Sequence, residues 1–355
     1  MPLQTNSKKE AQLKDLTSLL QCLECKADLT YTPEAYCCNE CDAKYKIIDH
    51  IPRFVPDSYL ALDDGDSNIQ EKTKNYFGFE WDYFKDWGFI KDEEVPEDQK
   101  EACFGGMVSN RKMAFNSKCR MEEEELAEGK IILDAGCGNG RYTYEAGINS
   151  KGFVIGVDIG YGSVSSAYRN TEELDNVIII QGNLIDLPFK DEVIDASFSN
   201  GVLHHTGATR EAFNEVGRTI KPDGTFVAHL YHKLNPIWEI NDYLIRLITT
   251  RMSIQANLKL AKFLARFAHY VSKVKGGFFV SNLFFRLQPT VHHMFDWYSA
   301  PTATHHTYQE LADWFYEQNF KVLDVVPERA RWVHPWACNL KGRKKSSSHT
   351  NSSTT

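Results

Sequence analysis

No run of about 18 consecutive apolar residues occurs anywhere in the 355-residue sequence, which excludes a helix built to span a bilayer. The opening residues, MPLQTNSKKEAQLKDL, hold no apolar stretch like the middle of a secretory leader, so none is expected. Positive charge is in deficit. Forty Lys and Arg against 48 Asp and Glu leave a net charge of −8, which gives no global attraction to nucleic acid. Internal repeats are absent. A glycine-rich loop at 136–140 lacks the Lys-Ser/Thr ending of a nucleotide phosphate loop, and its G-x-G-x-G spacing is not the G-x-G-x-x-G of a dinucleotide fingerprint. Cysteine is not scarce, but nine is an odd number and four of them form two C-x-x-C pairs. That usage favours a reducing, cytoplasmic setting over a disulfide framework.

The paired cysteines come first. Cys22 and Cys25 are separated by twelve residues from Cys38 and Cys41. Each pair fits a tight turn with both sulfurs facing one point, and two such turns give tetrahedral thiolate coordination of Zn²⁺. Cys37 competes with Cys38, but only Cys38 keeps the two-residue gap to Cys41. Four sulfur ligands leave no open position, which marks a structural metal and not a catalytic one. So short a segment buries little core by itself, so the metal is expected to supply much of its folding energy. Residues 18–57 resemble the zinc ribbon of a small partner subunit of tRNA and protein methyltransferases. The closing YKIIDHIPRFV is similar to that family's Y-x-I-x-D-G-I-P ending, with His50 in place of Gly.

From residue 130 the chain alternates. KIILDAG, GFVIGVDIG, NVIIIQGN, VIDASFSNGV and TFVAHLY read as buried strands, and GSVSSAYRNTEEL and TREAFNEVGRTI read as helices between them. This implies an α/β fold with a doubly wound, mostly parallel sheet, whose ligands bind beyond the carboxyl ends of the strands. The bare backbone of the loop Gly136, Gly138, Gly140 after the first strand allows close approach to a ligand. Asp158 ends the second strand, where an acid suits a bidentate hydrogen bond to ribose hydroxyls. Spacing alone therefore points to a nucleoside-containing cofactor.

The ordered motifs ILDAGCGNGRYT, VIGVDIG, GNLIDLPFKDEVIDASFSNGVLHHT and IKPDGTFVAHLY resemble the class I S-adenosylmethionine-dependent methyltransferases, in the group similar to quinone-biosynthesis enzymes. The resemblance implies a seven-stranded sheet with S-adenosylmethionine as cofactor. It implies that Asp134, Gly136, Cys137, Gly138 and Gly140 line the methionine and ribose side, and that Asp158 holds the ribose. Asn183 and Leu184 would flank the adenine, with Asn183 standing where the family has Asp. Ser199, Asn200 and Gly201 would lie beside the methyl donor.

Methyl transfer from a sulfonium is an in-line displacement, so the protein must align the acceptor, exclude water and, where needed, remove a proton. Candidate bases are His204 and His205 after the fourth strand and His232 after the fifth. The alternative for the His204–His205 pair is pocket shape or substrate contact, and a carboxylate acceptor would need no base.

These motifs divide the chain into a ribbon (18–57), an aromatic-rich lid with N-terminal helices (70–129), the cofactor-binding core (130–232), a helical cap insertion (233–290), the C-terminal part of the core (291–338) and a polar tail expected to be disordered (339–355). Residues 75–90 hold eight aromatics, read either as a lid with Trp81 over the cofactor or as a helix packed on the sheet. Residues 236–288 carry eight Lys and Arg against two Asp and Glu. Such a basic amphipathic pair would suit peripheral contact with an anionic lipid surface or a phosphorylated substrate, although a charge run alone is commonly just solvated. Thr307 with Glu310 forms a capping box. Asp296, Trp297, Tyr298, His305 and His306 are placed to approach the pocket mouth.

Two functions follow, beside a third reading as a non-catalytic binding module that keeps the fold but not the cofactor, against which the intact glycine loop and Asp158 argue. The first is methylation of a small molecule or of a lipid- or carbohydrate-linked intermediate. The second is an RNA methyltransferase, since a zinc ribbon on this core also resembles certain rRNA guanine methyltransferases. The site after the fourth strand reads SNGV, not the Asn/Asp-Pro-Pro-aromatic of base-amino methylation, and the acidic balance argues against nucleic acid.

Overall fold

The computed structural model describes residues 2–60, 68–100, 103, 106–233, 236–282, 284–325 and 337–346. The chain opens with helix α1 (Pro2–Leu16), then the ribbon strands β1 (Leu29–Tyr31), β2 (Ala35–Cys38), β3 (Lys44–Ile48) and β4 (Ile51–Phe54). Helices α2 (Ile69–Tyr83) and α3 (Val108–Ala114) lead into β5 (Ile131–Ala135), α4 (Arg141–Asn149), β6 (Phe153–Asp158), α5 (Tyr161–Thr171), β7 (Val177–Gly182), β8 (Ile194–Asn200), α6 (Thr209–Thr219) and β9 (Ile220–Tyr231). The insertion holds α7 (Pro236–Thr249), α8 (Ile254–Ser272) and α9 (Gly277–Asn282). It is followed by α10 (Val291–Ser299), α11 (Tyr308–Glu317), β10 (Phe320–Val325) and β11 (Ala337–Lys344).

Strands β5, β6 and β7 are almost wholly apolar and buried along their length, as strands covered on both faces must be. They run parallel with β8 and β9 in the order β7-β6-β5-β8-β9, and β11 then pairs antiparallel with both β9 and β10. The strand order reverses between β6 and β8, on either side of β5. This switch point places the glycine loop at the mouth of the crevice where such sheets bind ligands.

The sheet has eleven strands, not seven. The four extra strands are the ribbon's. β4 runs parallel to β7, with Arg53 opposite Gln181 and Phe54 opposite Gly182, so the ribbon extends the main sheet. Its apolar residues Tyr36, Tyr45 and Phe54 share one buried cluster with Leu184, Leu187 and Phe189. The expectation that the ribbon has little core of its own misses this merger: it uses the core of its neighbour. Helix α1, for which the sequence offered no signal, seals that cluster with Leu13 and Leu16, and Tyr36 donates its hydroxyl to the Leu13 carbonyl at 2.5 Å. Between β3 and β4 both Asp49 and His50 have positive φ (53° and 60°), the pattern of a type I′ hairpin turn. His50 thus adopts the left-handed backbone for which Gly is the usual residue.

The expected disordered tail, 339–355, is corrected over its first part. Asn339–Lys344 continue β11, held on both sides by neighbouring strands. The charges that made this segment look solvated have partners. Lys341 Nζ lies 2.8 Å from the buried Glu125 carboxylate, and Lys344 Nζ donates to the carbonyl of Ile220 at 2.8 Å. Residues 347–355 lie outside the described residues. The Thr307–Glu310 capping box is present in both directions, at 3.1 and 2.6 Å. Among the described residues no helix is long and apolar enough to cross a membrane.

Candidate functional site

A cavity of about 700 Å³ opens at the carboxyl ends of β5, β6 and β8. At one end it is bounded by the glycine loop, whose first two N–H groups, from Gly136 and Cys137, both donate to the Val157 carbonyl of β6 at 2.8 and 2.9 Å. That fold-back demands φ of +97° at Gly136 and +54° at Gly138. Space demands glycine as well. A Cβ on Gly136 would lie 2.4 Å from the Val202 methyls, and one on Gly138 would lie 2.8 Å from the Trp81 ring.

Asp158 ends β6 at the same place. Its Oδ2 accepts the Gly138 N–H at 3.0 Å and its Oδ1 accepts the Gly160 N–H at 2.9 Å. Each oxygen keeps a lone pair for a further donor, and the carboxylate lines the cavity. Burial raises its pKa above the usual carboxylate range, and the two backbone donors oppose the shift. Burial also pushes Asp134 up to about 7, against a 2.6 Å hydrogen bond from the Thr143 hydroxyl.

Of the residues expected around the cofactor, Gly136, Cys137, Gly138, Asp158, Asn183, Leu184 and Asn200 line this cavity. Asn200 Oδ1 is buried there without a hydrogen-bond partner among the described residues. Asn183 accepts the Ile185 N–H and donates to Gln70 of α2 at 3.2 Å. Three expected residues sit just behind the wall. Asp134 is tied to Thr143, Ser199 donates to the Ala135 carbonyl at 2.7 Å, and Gly140 precedes α4. They shape the loop from outside the cavity. Helix α2 packs on helix α5, where the second reading of the aromatic segment expected the sheet, and it presents the Trp81 ring over Gly138.

The two adjacent histidines differ sharply. His204 is fully buried, stacks on Tyr231 with ring centres 3.7 Å apart and accepts the Tyr231 N–H on Nδ1, behind the cavity wall. Burial drives its pKa well below the usual imidazole range. His205 lines the cavity. Its Nδ1 lies 2.6 Å from the Thr302 carbonyl, so that nitrogen carries the proton and Nε2 presents a lone pair. Nε2 has no hydrogen-bond partner among the described residues and stands 4.0 Å from Asp296 Oδ1. Burial lowers His205 to about 4, while Asp296 pulls the other way. Asp296 in turn accepts the Tyr231 hydroxyl at 2.9 Å. His232 does not line the cavity. It bridges to His306, which packs on Trp314, while His305 sits 2.7 Å from Glu239.

The far end of the cavity was not read from the sequence, Asp296 apart. It is built by Lys118, His229, Tyr231, Arg286 and His293. Lys118 lies in a π-helical turn, Phe115–Cys119, a distortion that gathers at functional sites. Arg286 lies over the Trp297 and Tyr231 rings, and burial lowers its guanidinium to about 10. Burial also brings His293 down to about 3, so its imidazole stands neutral beside the cations Lys118 and Arg286. No local motif marks these residues, because they come from three segments spread between positions 118 and 293.

In the ribbon, the Sγ atoms of Cys22, Cys25, Cys38 and Cys41 all lie within 4.8 Å of one another, with three pairs at 3.4–3.7 Å. Tetrahedral Zn²⁺ with bonds of about 2.3 Å sets its sulfurs about 3.8 Å apart, so the four thiols fit that ion. Cys37 stands outside the cluster.

Residues 126–265 match the family model described as a methyltransferase domain. A tRNA (carboxymethyluridine(34)-5-O)-methyltransferase from Arabidopsis thaliana is 36% identical over 104 residues, covering 28% of this chain and 24% of that protein. A 24-methylenesterol C-methyltransferase from the same plant is 31% identical over 108 residues, 30% of each chain. A demethylmenaquinone methyltransferase from Symbiobacterium thermophilum is 33% identical over 104 residues, 28% of this chain and 41% of that one. The chain thus spans between about a quarter and two fifths of the length of these curated relatives. The match with the methyltransferase family model over residues 126–265 agrees with the switch-point strand order and with the glycine loop folded on β6.

Proposed function

We propose that the chain is an S-adenosylmethionine-dependent methyltransferase acting on a small molecule or on a lipid- or carbohydrate-linked intermediate, with a structural Zn²⁺ held by Cys22, Cys25, Cys38 and Cys41. The observation that carries this reading is a single cavity that joins Asp158 and the glycine loop to the His205 ring and then to the Lys118–Arg286 wall. S-adenosylmethionine would supply an electrophilic methyl group on a sulfonium. Asp158 would accept its ribose hydroxyls, and the close backbone at Gly136 and Gly138 would admit the methionine side. Asn183 and Leu184 would flank the adenine.

The remaining chemistry falls to the acceptor end. As a bond forms to an acceptor oxygen or nitrogen, its proton becomes far more acidic than an imidazolium, so even a weak neutral imidazole can take it. His205 Nε2 receives that proton, and Asp296 steadies the resulting charge. Tyr231 holds Asp296 in place. The cationic far wall favours an acceptor with a carboxylate or phosphate remote from the reacting atom.

The relatives' names cover a tRNA nucleoside, a sterol and demethylmenaquinone, so the preference for a small acceptor over RNA rests on the cavity and on the acidic net charge. Incubating the protein with isotope-labelled cofactor and fractionated extracts tests it. Label in a low-mass, ribonuclease-resistant fraction is expected, and label confined to ribonuclease-sensitive material would favour the RNA reading. Cofactor binding is tested separately. Gly138→Val drives a side chain into Trp81, and calorimetry should find no measurable S-adenosylmethionine affinity. Wild-type affinity would refute the cofactor assignment.

A further inference from the structure

Helix α8 carries apolar side chains on two faces. The side chains that it buries fully are small: Asn257, Ala261, Ala265 and Ala268, spaced four, four and three residues apart, with Ile254, Leu258 and Leu264 partly buried beside them. A second set of large apolar side chains faces outward. Phe263 is 65% exposed, Phe267 48%, Tyr270 61% and, one turn past the helix, Val274 63%. These four follow one another at i, i+4, i+7 and i+11, which is a single stripe along a helix. Helix α7 repeats the arrangement. It buries Trp238, Asp242 and Thr249 and leaves Ile237, Ile240, Leu244 and Ile248 in the open on a second stripe with the same three–four spacing. Past α8, Phe279, Val280, Phe284 and Phe285 are exposed too.

Thirteen of the twenty exposed large apolar side chains among the described residues fall between 237 and 285. The segments adjoin: Asn241 of α7 donates to the Phe284 carbonyl at 3.0 Å, and α9 packs on α8. So many exposed apolar side chains on neighbouring segments are unusual on a protein that meets only water, and they call for an occupant.

Charge selects the occupant. Between the exposed rings of α8 stand Lys259, Lys262 and Arg266, all exposed, with Lys273 and Lys275 just beyond. No Asp or Glu occurs from 243 to 288, although the chain as a whole is acidic. The two acids of α7 face inward, Glu239 toward His305 and Asp242 toward Trp297. Pairing this face with a second copy of itself would set cation against cation. A bilayer with anionic headgroups meets both requirements at once, taking aromatic and aliphatic side chains into the acyl boundary while lysine and arginine reach the phosphates. The face is also continuous with the cavity. Phe284 and Phe285 are exposed, and the next residue, Arg286, lines the cavity's far wall.

We infer that α7, α8 and the segment through Phe285 form a membrane-docking face that seats the protein on anionic phospholipid, with the cavity's far wall beside the lipid. The inference rests on the insertion alone and stands apart from the methyl-transfer reading.

Sedimentation of the full chain with vesicles tests it. Phosphatidylcholine vesicles containing phosphatidylglycerol should pellet the protein at low salt. Pure phosphatidylcholine should bind it more weakly, and high salt should reduce the difference. Phe263→Ser with Phe267→Ser and Tyr270→Ser should abolish binding to both compositions. Lys259→Glu with Arg266→Glu should cost about fivefold for each cation lost, on anionic vesicles only. All these side chains are exposed, so unchanged thermal midpoints and cofactor affinity should show that the variants fold. No pelleting of the wild type with anionic vesicles, or unchanged pelleting of the triple serine variant, would overturn the inference. So would a wild-type dimer in analytical ultracentrifugation that the serine variant dissolves, which would assign the face to a second copy.

Discussion

The two ends of the cavity are made differently. The cofactor end comes from short, contiguous pieces of chain in which backbone does most of the shaping: Gly136 to Gly138 folded onto Val157, and Asp158 gripped by two N–H groups. The acceptor end is assembled from side chains of the π-helical turn, β9, the segment before α10 and α10 itself. Backbone geometry tolerates few sequences, so the first end can be recognised from spacing. Side chains delivered from distant segments tolerate many, so the second end can differ among proteins that share the first.

The largest expected effect separates the ends most cleanly. His205→Gln should lower turnover by about 10²–10⁴-fold while leaving cofactor affinity unchanged, since general bases contribute on that scale. The wild-type rate should also hold well below the ordinary imidazole range. In the proposed mechanism the neutral form of His205 is the active one and burial lowers it to about 4, so activity should fall only as pH drops through that region. A limb near pH 6.5, or retained turnover in the variant, would show that another group accepts the proton.

Asp158→Ala is the counterpart at the other end. Losing charge-assisted bonds to the ribose should weaken cofactor binding by about 1.5–3 kcal/mol. Turnover at saturating cofactor should fall much less. Calorimetry and a KM-against-kcat comparison report the two quantities separately, and an equal loss in both would mean that the ends are coupled.

The smallest effect on the cavity should come from the ribbon. Cys22→Ser with Cys41→Ser should remove about one zinc per chain by metal analysis and lower the thermal midpoint, yet leave cofactor affinity close to that of the wild type. Full zinc retention would refute the ligand set.

Much of this was legible. The five parallel strands were readable because burial on both faces leaves near-continuous apolar runs, and the pairing Cys22, Cys25, Cys38, Cys41 because tight turns fix ligand spacing. Asp158 and the three glycines could be placed by their distance from those strands. Several features had no local signature. β11 looked like a solvated tail, since KGRKK says nothing about the two strands that flank it. The attachment of β4 to β7 joins residues 53 and 181, and α1 has few apolar residues, so neither shows a pattern of its own. His204 and His205 are neighbours with identical chemistry. Only the fold sends one behind the wall onto Tyr231 and the other into the cavity with a free lone pair.

The junction of β4 with β7 carries a consequence for mass action. A separate ribbon subunit would cover that sheet edge only while bound, with an occupancy that falls on dilution. In this chain the ribbon is tethered, so its local concentration is set by the covalent linkage and not by expression level. Arg53, seated 3.0 Å from Gln181, stays at the β7 edge at any protein concentration. The same tether keeps the edge from templating another chain's strand, which removes a route to aggregation during synthesis.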